Sequence, residues 1–413
     1  MLSFRVPDIN QIKNKENFDF SDTHLSSVLK ELEHELCKSK SLLDEPYKNP
    51  KYQKITYLFE SFNCEKEKIV KLSNNFNITN AWLKAYELVD HFDLIPTSIE
   101  KKNKYFHFDN AAFPGSFILA IHHFIESRTN IGSKYKWFAS SLAIDTNEVK
   151  QHLEDKYCLH ANYPNHWLMS PTNNGDLTVL ENILDFEKRL PKVDLYTSDL
   201  GFDVSQNYNA QELLHLKAHY GQLLCGLLVL KPGGNLVVKQ FTFFTEINIC
   251  NLGILTTMFD EVYISKPATS KTDNSEIYIV AKGFKKNPEV LKRMKDMFFS
   301  CGENPDVLYS IRAFGVPFCE FIEKTSRILV KSQSDKIKLN VEKFYQILKI
   351  PPYENIYNAS RKLFQKTREK ELKEWYARHR IHKISVNKRL KMKDKFKQKR
   401  FLLSYGRKIS RSQ

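Results

Sequence analysis

Between positions 105 and 284 short apolar runs alternate with stretches whose apolar residues recur every three to four positions. Runs of this length, rich in β-branched and aromatic residues, suit buried strands, and the three-to-four spacing suits helices packed on them. The runs are YFHFD (105–109), YKWFASSL (135–142), HWLMS (166–170), VDLYTSD (193–199), NLVVK (235–239), EVYISK (261–266) and EIYIVAKGF (276–284). Strand and helix in alternation is the pattern of βαβ units. The expected fold class is therefore α/β, a doubly wound, parallel, Rossmann-like sheet of seven strands, preceded by a helix over AWLKAYELVDHFDLI from Asn80.

The flanks read differently. In SSVLKELEHELCKSKSLLDE the residues Val28, Leu29, Leu32 and Leu36 fall on one helical face, so residues 1–74 are expected to form a helical accessory region. The α/β domain then spans 75–290. Residues 291–358, opening on VLKRMKDMFF, look helical again, and 359–413 form a basic tail.

Composition sharpens this outline. With 42% hydrophobic residues, 29 Phe and 19 Tyr among 413 positions, a sizeable core is available. No apolar run approaches the roughly 20 residues of a membrane span, and the N-terminus lacks a long apolar leader, so a soluble, cytoplasmic protein is expected. The seven cysteines are odd in number and scattered, which suits reduced thiols and no structural zinc. His122 and His123 are neighbours on one helix, diverge, and suit no shared metal site.

The net charge of +15 sits almost wholly at one end. From Ser360 onward there are 20 Lys and Arg against 4 Asp and Glu, whereas the preceding residues hold 43 against 44. Phe364, Trp375, Tyr376, Phe396 and Tyr405 interleave with this charge. Such a segment suits a polyphosphate backbone, with aromatic rings to stack on unpaired bases. The alternative is a solvated helix whose Phe364 and Trp375 pack on the body.

The chemistry concentrates at the carboxyl ends of the expected strands. FHFDNAAFPGSFILAIHHF (106–124) is a strand, a turn of small residues and a helix, which lets backbone approach a ligand and offers free helix N–H groups. It has neither the G-x-G-x-x-G of dinucleotide binders nor a P-loop. LKPGGNLVVKQF (230–241) is a strand that ends on Lys239, either an amine that snorkels to the surface or one placed at the sheet's reactive edge.

DNAAFPGSF (109–117) resembles the D-x-x-A-A-P-G-G-F motif of the FtsJ-like ribose 2′-O-methyltransferases. TNAWLKAYELVD (79–90) is similar to the helix that carries that family's first catalytic lysine, here Lys84. YTSDLGF supplies Asp199, LKPGGNLVVKQF supplies Lys239, and SEIYIVAKGF supplies Glu276, which together resemble the family's K-D-K-E set. The segments TNAWLK, NNGD (173–176) and KPATSKTDNSE (266–276) are similar to those of enzymes from large cytoplasmic, asfarvirus-like DNA viruses. The resemblance covers about residues 75–290. It implies S-adenosylmethionine as cofactor, held by Asp109, Ala111, Pro114, Gly115 and Ser116, with Asp176 at the adenine position. Three departures stand out: Phe113 interrupts the turn, Ser116 replaces a glycine, and Ser140 to Leu142 lack the acidic residue that many relatives use for the ribose.

The reaction implied needs no metal. A ribose 2′-hydroxyl is a poor nucleophile, so it needs positioning and a base. A lysine serves only if its pKa falls well below about 10.4, through burial and a neighbouring cation such as Lys84. Asp199 and Glu276 would then orient the amines and keep the cluster neutral. The expected partner is RNA, with the 5′ end of capped mRNA favoured by the viral likeness, along with other capping or transcription proteins in the host cytoplasm or virion. Two alternatives stand beside this: a structural-RNA 2′-O-methyltransferase, and a catalytically silent RNA-binding or virion protein that keeps the fold.

Overall fold

Seven strands pair into one sheet, in a computed structural model that describes residues 1–9, 20–73, 78–100, 103–142, 155–170, 172–202, 210–300, 307–349 and 356–391. The strands are β1 (Leu2–Arg5), β2 (Tyr105–Asn110), β3 (Tyr135–Ala139), β4 (Val193–Ser198), β5 (Leu230–Gln240), β6 (Phe259–Lys266) and β7 (Ile277–Phe284). Their order is β1-β6-β7-β5-β4-β2-β3. From β3 through β5 the pairing is parallel, but β7 is antiparallel to both β5 and β6, and β1 is antiparallel to β6. The sheet is thus mixed where the sequence led us to expect a parallel one.

Six of the seven expected runs form strands, and one does not. HWLMS begins with a 3-10 turn, Pro164–His166, and touches the sheet through a single bridge from Trp167 to Ala139. The Leu168 carbonyl accepts from the Arg189 guanidinium instead of from a strand, and Trp167 and Leu168 are buried as packing residues. The seventh strand is β1, whose four residues are mostly exposed and carry no apolar run. It is an edge strand set by register alone, from Leu2 opposite Lys266 to Arg5 opposite Tyr263.

The main helices are α1 (His24–Lys40), α2 (Asn80–His91), α3 (Ser116–Arg128), α4 (Leu180–Arg189), α5 (Leu216–Val229), α6 (Glu246–Met258), α7 (Pro288–Ser300), α8 (Val316–Leu348) and α9 (Gln365–Arg378). Thr23 and Thr79 cap α1 and α2 by accepting from Ser26 N and Trp82 N, as free helix N–H groups require. Alternate residues of the central strands feed two cores: Tyr196, Leu236, Val238 and Ile279 join one, while Leu195, Val237, Tyr278 and Val280 join the other. Both sheet faces are covered, which explains why the runs are apolar throughout rather than alternating. The first core extends without a break into Leu29 and Leu32 of α1 and Phe318 and Ile322 of α8. It does not stop at the boundaries expected from sequence.

The second core holds Trp82, Tyr86, Phe117 and Phe124 of α2 and α3, and is closed by Trp375 of α9. Beyond α9, residues 379–391 run as a strap over α2 and α3. His379 pairs with Asp90 at 2.7 Å, the Tyr86 hydroxyl donates to the Arg380 carbonyl, and His123 and His122 reach the carbonyls of His382 and Lys388. Three of the aromatics expected to stack on bases are engaged with the body, Phe364 and Trp375 as the alternative reading had it. Phe364 is buried against Phe59, Trp375 against Phe62, and the Tyr376 hydroxyl donates to Glu65. Phe396 and Tyr405 lie outside the described residues.

Candidate active site

Because β7 runs antiparallel, its first residues arrive at the edge where β4 and β5 end. The register places Lys239 opposite Tyr278 and Gln240 opposite Ile277, so Glu276 lies beside the end of β5. Asp199 follows the last residue of β4. Helix α2 crosses this edge and contributes Lys84 from its second turn.

The four charged side chains meet there. Lys84 Nζ lies 2.9 Å from Glu276 Oε1 and 3.6 Å from Asp199 Oδ2, and Lys239 Nζ lies 3.2 Å from Asp199 Oδ1. Lys239 also donates to the Asp199 backbone carbonyl at 2.9 Å. Its side chain is 11% exposed, so it does not snorkel to the surface. The formal charge of the four is zero, which is what makes so dense a cluster tolerable out of water.

Neighbours absent from the sequence expectation hold it in shape. The Tyr278 hydroxyl donates to Asp199 Oδ1 at 2.6 Å, and its ring lies under the Lys84 amine at 5.4 Å. Ser270 Oγ donates to Glu276 Oε1 at 2.8 Å. Lys266, buried, donates to the Glu276 and Asn274 carbonyls and to Asn274 Oδ1, pinning the loop into β7. Glu87, one turn beyond Lys84, accepts from the amides of Ala268 and Thr269, and Gln333 and Asn340 of α8 grip Asp273. The i,i+3 spacing of Lys84 and Glu87 was the available signal that both face this loop.

Charge states follow from the packing. Burial acts to lower the Lys84 pKa, but Asp199 and Glu276 overcome it and hold the amine above its ordinary value. Burial likewise acts to raise the Glu276 carboxyl, and Lys84, Lys239 and Lys266 overcome it and bring it down to about 2. Lys266 is brought down to about 8, mainly by burial.

The glycine-containing turn lies beside this cluster, between β2 and α3. Gly115 sits at φ +104° as the N-cap of α3, and a Cβ there would strike the Leu159 side chain. Ala111 also has positive φ, Pro114 follows a cis bond, and Phe113 stacks on Trp167 with centroids 4.4 Å apart. The intruding phenylalanine is thus turned into packing outside the turn. Ser116 is buried, its hydroxyl accepting from Thr79, the cap of α2, so the helix bearing Lys84 is tied to the turn.

Asp109 lies beneath the turn, fully buried. Tyr135 donates to His107 Nδ1, His107 Nε2 donates to Thr197, and Thr197 donates to Asp109 Oδ1 at 2.6 Å. Burial lowers His107 to about 3, which leaves it neutral as this chain of bonds requires. Burial also pushes the Asp109 carboxyl well above its usual range. Asp109 Oδ2, Ser140 Oγ and Ser198 Oγ, at the ends of β2, β3 and β4, are buried without a hydrogen-bond partner among the described residues. Buried polar atoms normally have partners, so three orphans at one edge point to a polar ligand. Asp176 accepts from Thr178 N and Oγ1, a local turn, in a loop that Gly175 brings against the Ser141 carbonyl.

Comparison with known proteins gives the family. A family model described as FtsJ-like methyltransferase matches residues 78–284. The "Probable methyltransferase EP424R" of African swine fever virus is 32% identical over 392 residues, covering 90% of this chain and 86% of the relative. The "Cap-specific mRNA (nucleoside-2'-O-)-methyltransferase 2" of Mus musculus is 28% identical over 333 residues, covering 79% of this chain and 43% of that protein.

Proposed function

The chain belongs to the FtsJ-like methyltransferase family and uses S-adenosylmethionine, and we propose that it methylates the ribose 2′-hydroxyl of the first transcribed nucleotides of capped mRNA. The observation that carries this is the buried, net-neutral cluster of Lys84, Asp199, Lys239 and Glu276. The name of the mouse relative supports the cap as the substrate.

The polar orphans at the ends of β2, β3 and β4 fit a cofactor with an amino-acid end and a ribose, and the left-handed turn at Gly115 fits close backbone approach. Asp109, Ala111, Pro114, Gly115 and Ser116 would hold one end and Asp176 the other. When bound, the cofactor supplies a sulfonium methyl that can be displaced in line.

Lys239 takes the proton of the acceptor hydroxyl as the oxygen attacks. Among the described residues its polar partners both belong to Asp199, so the amine is held from one side. Lys84, gripped by two carboxylates and kept charged, orients them rather than moving a proton. Glu276 closes the set, and Tyr278 and Ser270 fix the carboxylates.

Among the described residues no helix is long and apolar enough to cross a membrane; the likeness to a viral relative supports the host cytoplasm as the place of the activity. The test is transfer of labelled methyl to matched capped and uncapped RNAs, with nuclease mapping of the product. Label at the 2′-oxygen of the first nucleotides of capped RNA alone is expected. Equal labelling of uncapped RNA would move the substrate to structural RNA, and no transfer at all would overturn the proposal.

A further inference from the structure

Phe202 stands out beside the charged cluster as a large apolar ring outside the hydrophobic cores of the described residues. It is 50% exposed and, among the described residues, joins neither hydrophobic core. Yet it is held firmly. Its ring lies on that of His215, with centroids 3.8 Å apart and planes 15° apart. Its backbone N–H donates to His215 Nε2 at 3.1 Å, while His215 Nδ1 donates to the Gln211 carbonyl. His215 is itself fully buried and packs edge-on against Phe241, just past β5. Burial, aided by Lys239, brings His215 down to about 4, so the neutral tautomer that accepts from Phe202 persists at working pH.

The location of this shelf gives it a use. At Gly201 the backbone runs against the Lys239 amine, for a Cβ there would fall 2.7 Å from Nζ. Phe202 is the next residue. One face of its ring is covered by His215 and the residue is half exposed, next in sequence to the glycine that lies against the amine assigned to the acceptor hydroxyl. A ribose carries its base within the same nucleotide, so a base has to lie close to any amine that handles the 2′-oxygen.

We propose that Phe202 is a substrate-positioning residue, whose exposed ring face stacks on the base of the nucleotide being methylated. This rests on the assignment of ribose 2′-O-methylation above. Stacking on a phenylalanine is tolerant of base identity, so the shelf would orient the acceptor without reading its sequence. His215 serves as its backing, fixing the ring before RNA arrives.

The experiment pairs a protein change with a substrate change. Wild type, Phe202→Ala and Phe202→Tyr are assayed for methyl transfer to capped RNA whose acceptor nucleotide is either intact or abasic, keeping its 2′-hydroxyl. Phe202→Ala should raise KM for intact RNA about ten- to a hundredfold. Removal of the base should raise the wild-type KM by a similar factor, and the two changes together should do no more than either alone. Phe202→Tyr should behave as wild type, and S-adenosylmethionine affinity and melting temperature should be unchanged in all three. Multiplying losses, or an alanine variant with unaltered KM, would overturn this inference and leave the activity standing. A wild-type protein inactive on every RNA would overturn the activity and this inference with it.

Discussion

Replacing Lys84 by methionine removes one charge from a buried set of four while keeping the volume of the side chain. At an effective dielectric constant near 20, contacts of 2.9 Å to Glu276 and 3.6 Å to Asp199 correspond to attractions of about 6 and about 5 kcal/mol. Desolvation offsets most of that. Breaking a buried pair from one side costs about 3–5 kcal/mol in net terms, because a charge is left unpaired. Asp199 keeps Lys239 and Tyr278, so the burden falls on Glu276, which keeps the Ser270 hydroxyl and the fields of Lys239 and Lys266. The sign of the pH dependence follows from its carboxyl, which is held at about 2 against 4.5 for the free group. A depressed carboxyl contributes stability that is present above about pH 4.5 and lost as pH falls toward about 2. The gap between wild type and Lys84→Met in urea unfolding should therefore be about 3–5 kcal/mol near pH 7 and narrow as pH drops below about 4.5. Methyl transfer by the variant should fall at least about a hundredfold. A gap below about 1 kcal/mol, or one that stays constant from neutral pH to about pH 3, would refute the view that Lys84 neutralises Glu276.

Lys239→Ala should abolish transfer and leave S-adenosylmethionine affinity within a few-fold by calorimetry. Lys239→Arg should be equally inactive, since guanidinium stays protonated; activity in either variant would remove Lys239 from the base role. Gly115→Val should weaken cofactor binding strongly, because φ +104° and the Leu159 contact both exclude a branched side chain, and calorimetry with unaltered affinity would count against that turn as the cofactor site. Deleting residues 392–413, which hold eight Lys and Arg and one Asp, should flatten the salt dependence of RNA binding without lowering the melting temperature. Deleting from Gln365 onward should also destabilise the body by removing Trp375 and the His379–Asp90 pair; equal melting temperatures for the two truncations would show that the strap contributes nothing.

The charged cluster was legible in the sequence mainly through the family resemblance, which named all four members, while local pattern alone singled out Lys239. Lys239 and Asp199 end apolar runs, Glu276 begins one, and Lys84 lies on a helix with a clear start at Thr79. Tyr278, Ser270 and Lys266 were not expected as supports, since nothing local separates a core tyrosine from one whose hydroxyl reaches an aspartate 79 residues away. Phe202 was visible in YTSDLGF, but only its exposure and its stacking on His215 separate it from a core residue.

What the sequence determined by itself was the set of buried strands and the edge at which they carry charge, because burial on both faces demands continuous apolar runs and the ends of those runs are where polar residues can return. It also determined the family, through motifs spread along half the chain. Tertiary structure decided the rest. It alone showed that Leu2–Arg5 is a strand, because an exposed edge is held by backbone hydrogen bonds that any side chains allow. It alone showed that HWLMS is not one, because the Leu168 carbonyl found a partner in Arg189. It alone turned Phe364 and Trp375 from open rings into packing, because a basic, aromatic segment reads the same whether its rings face solvent or Phe59 and Phe62.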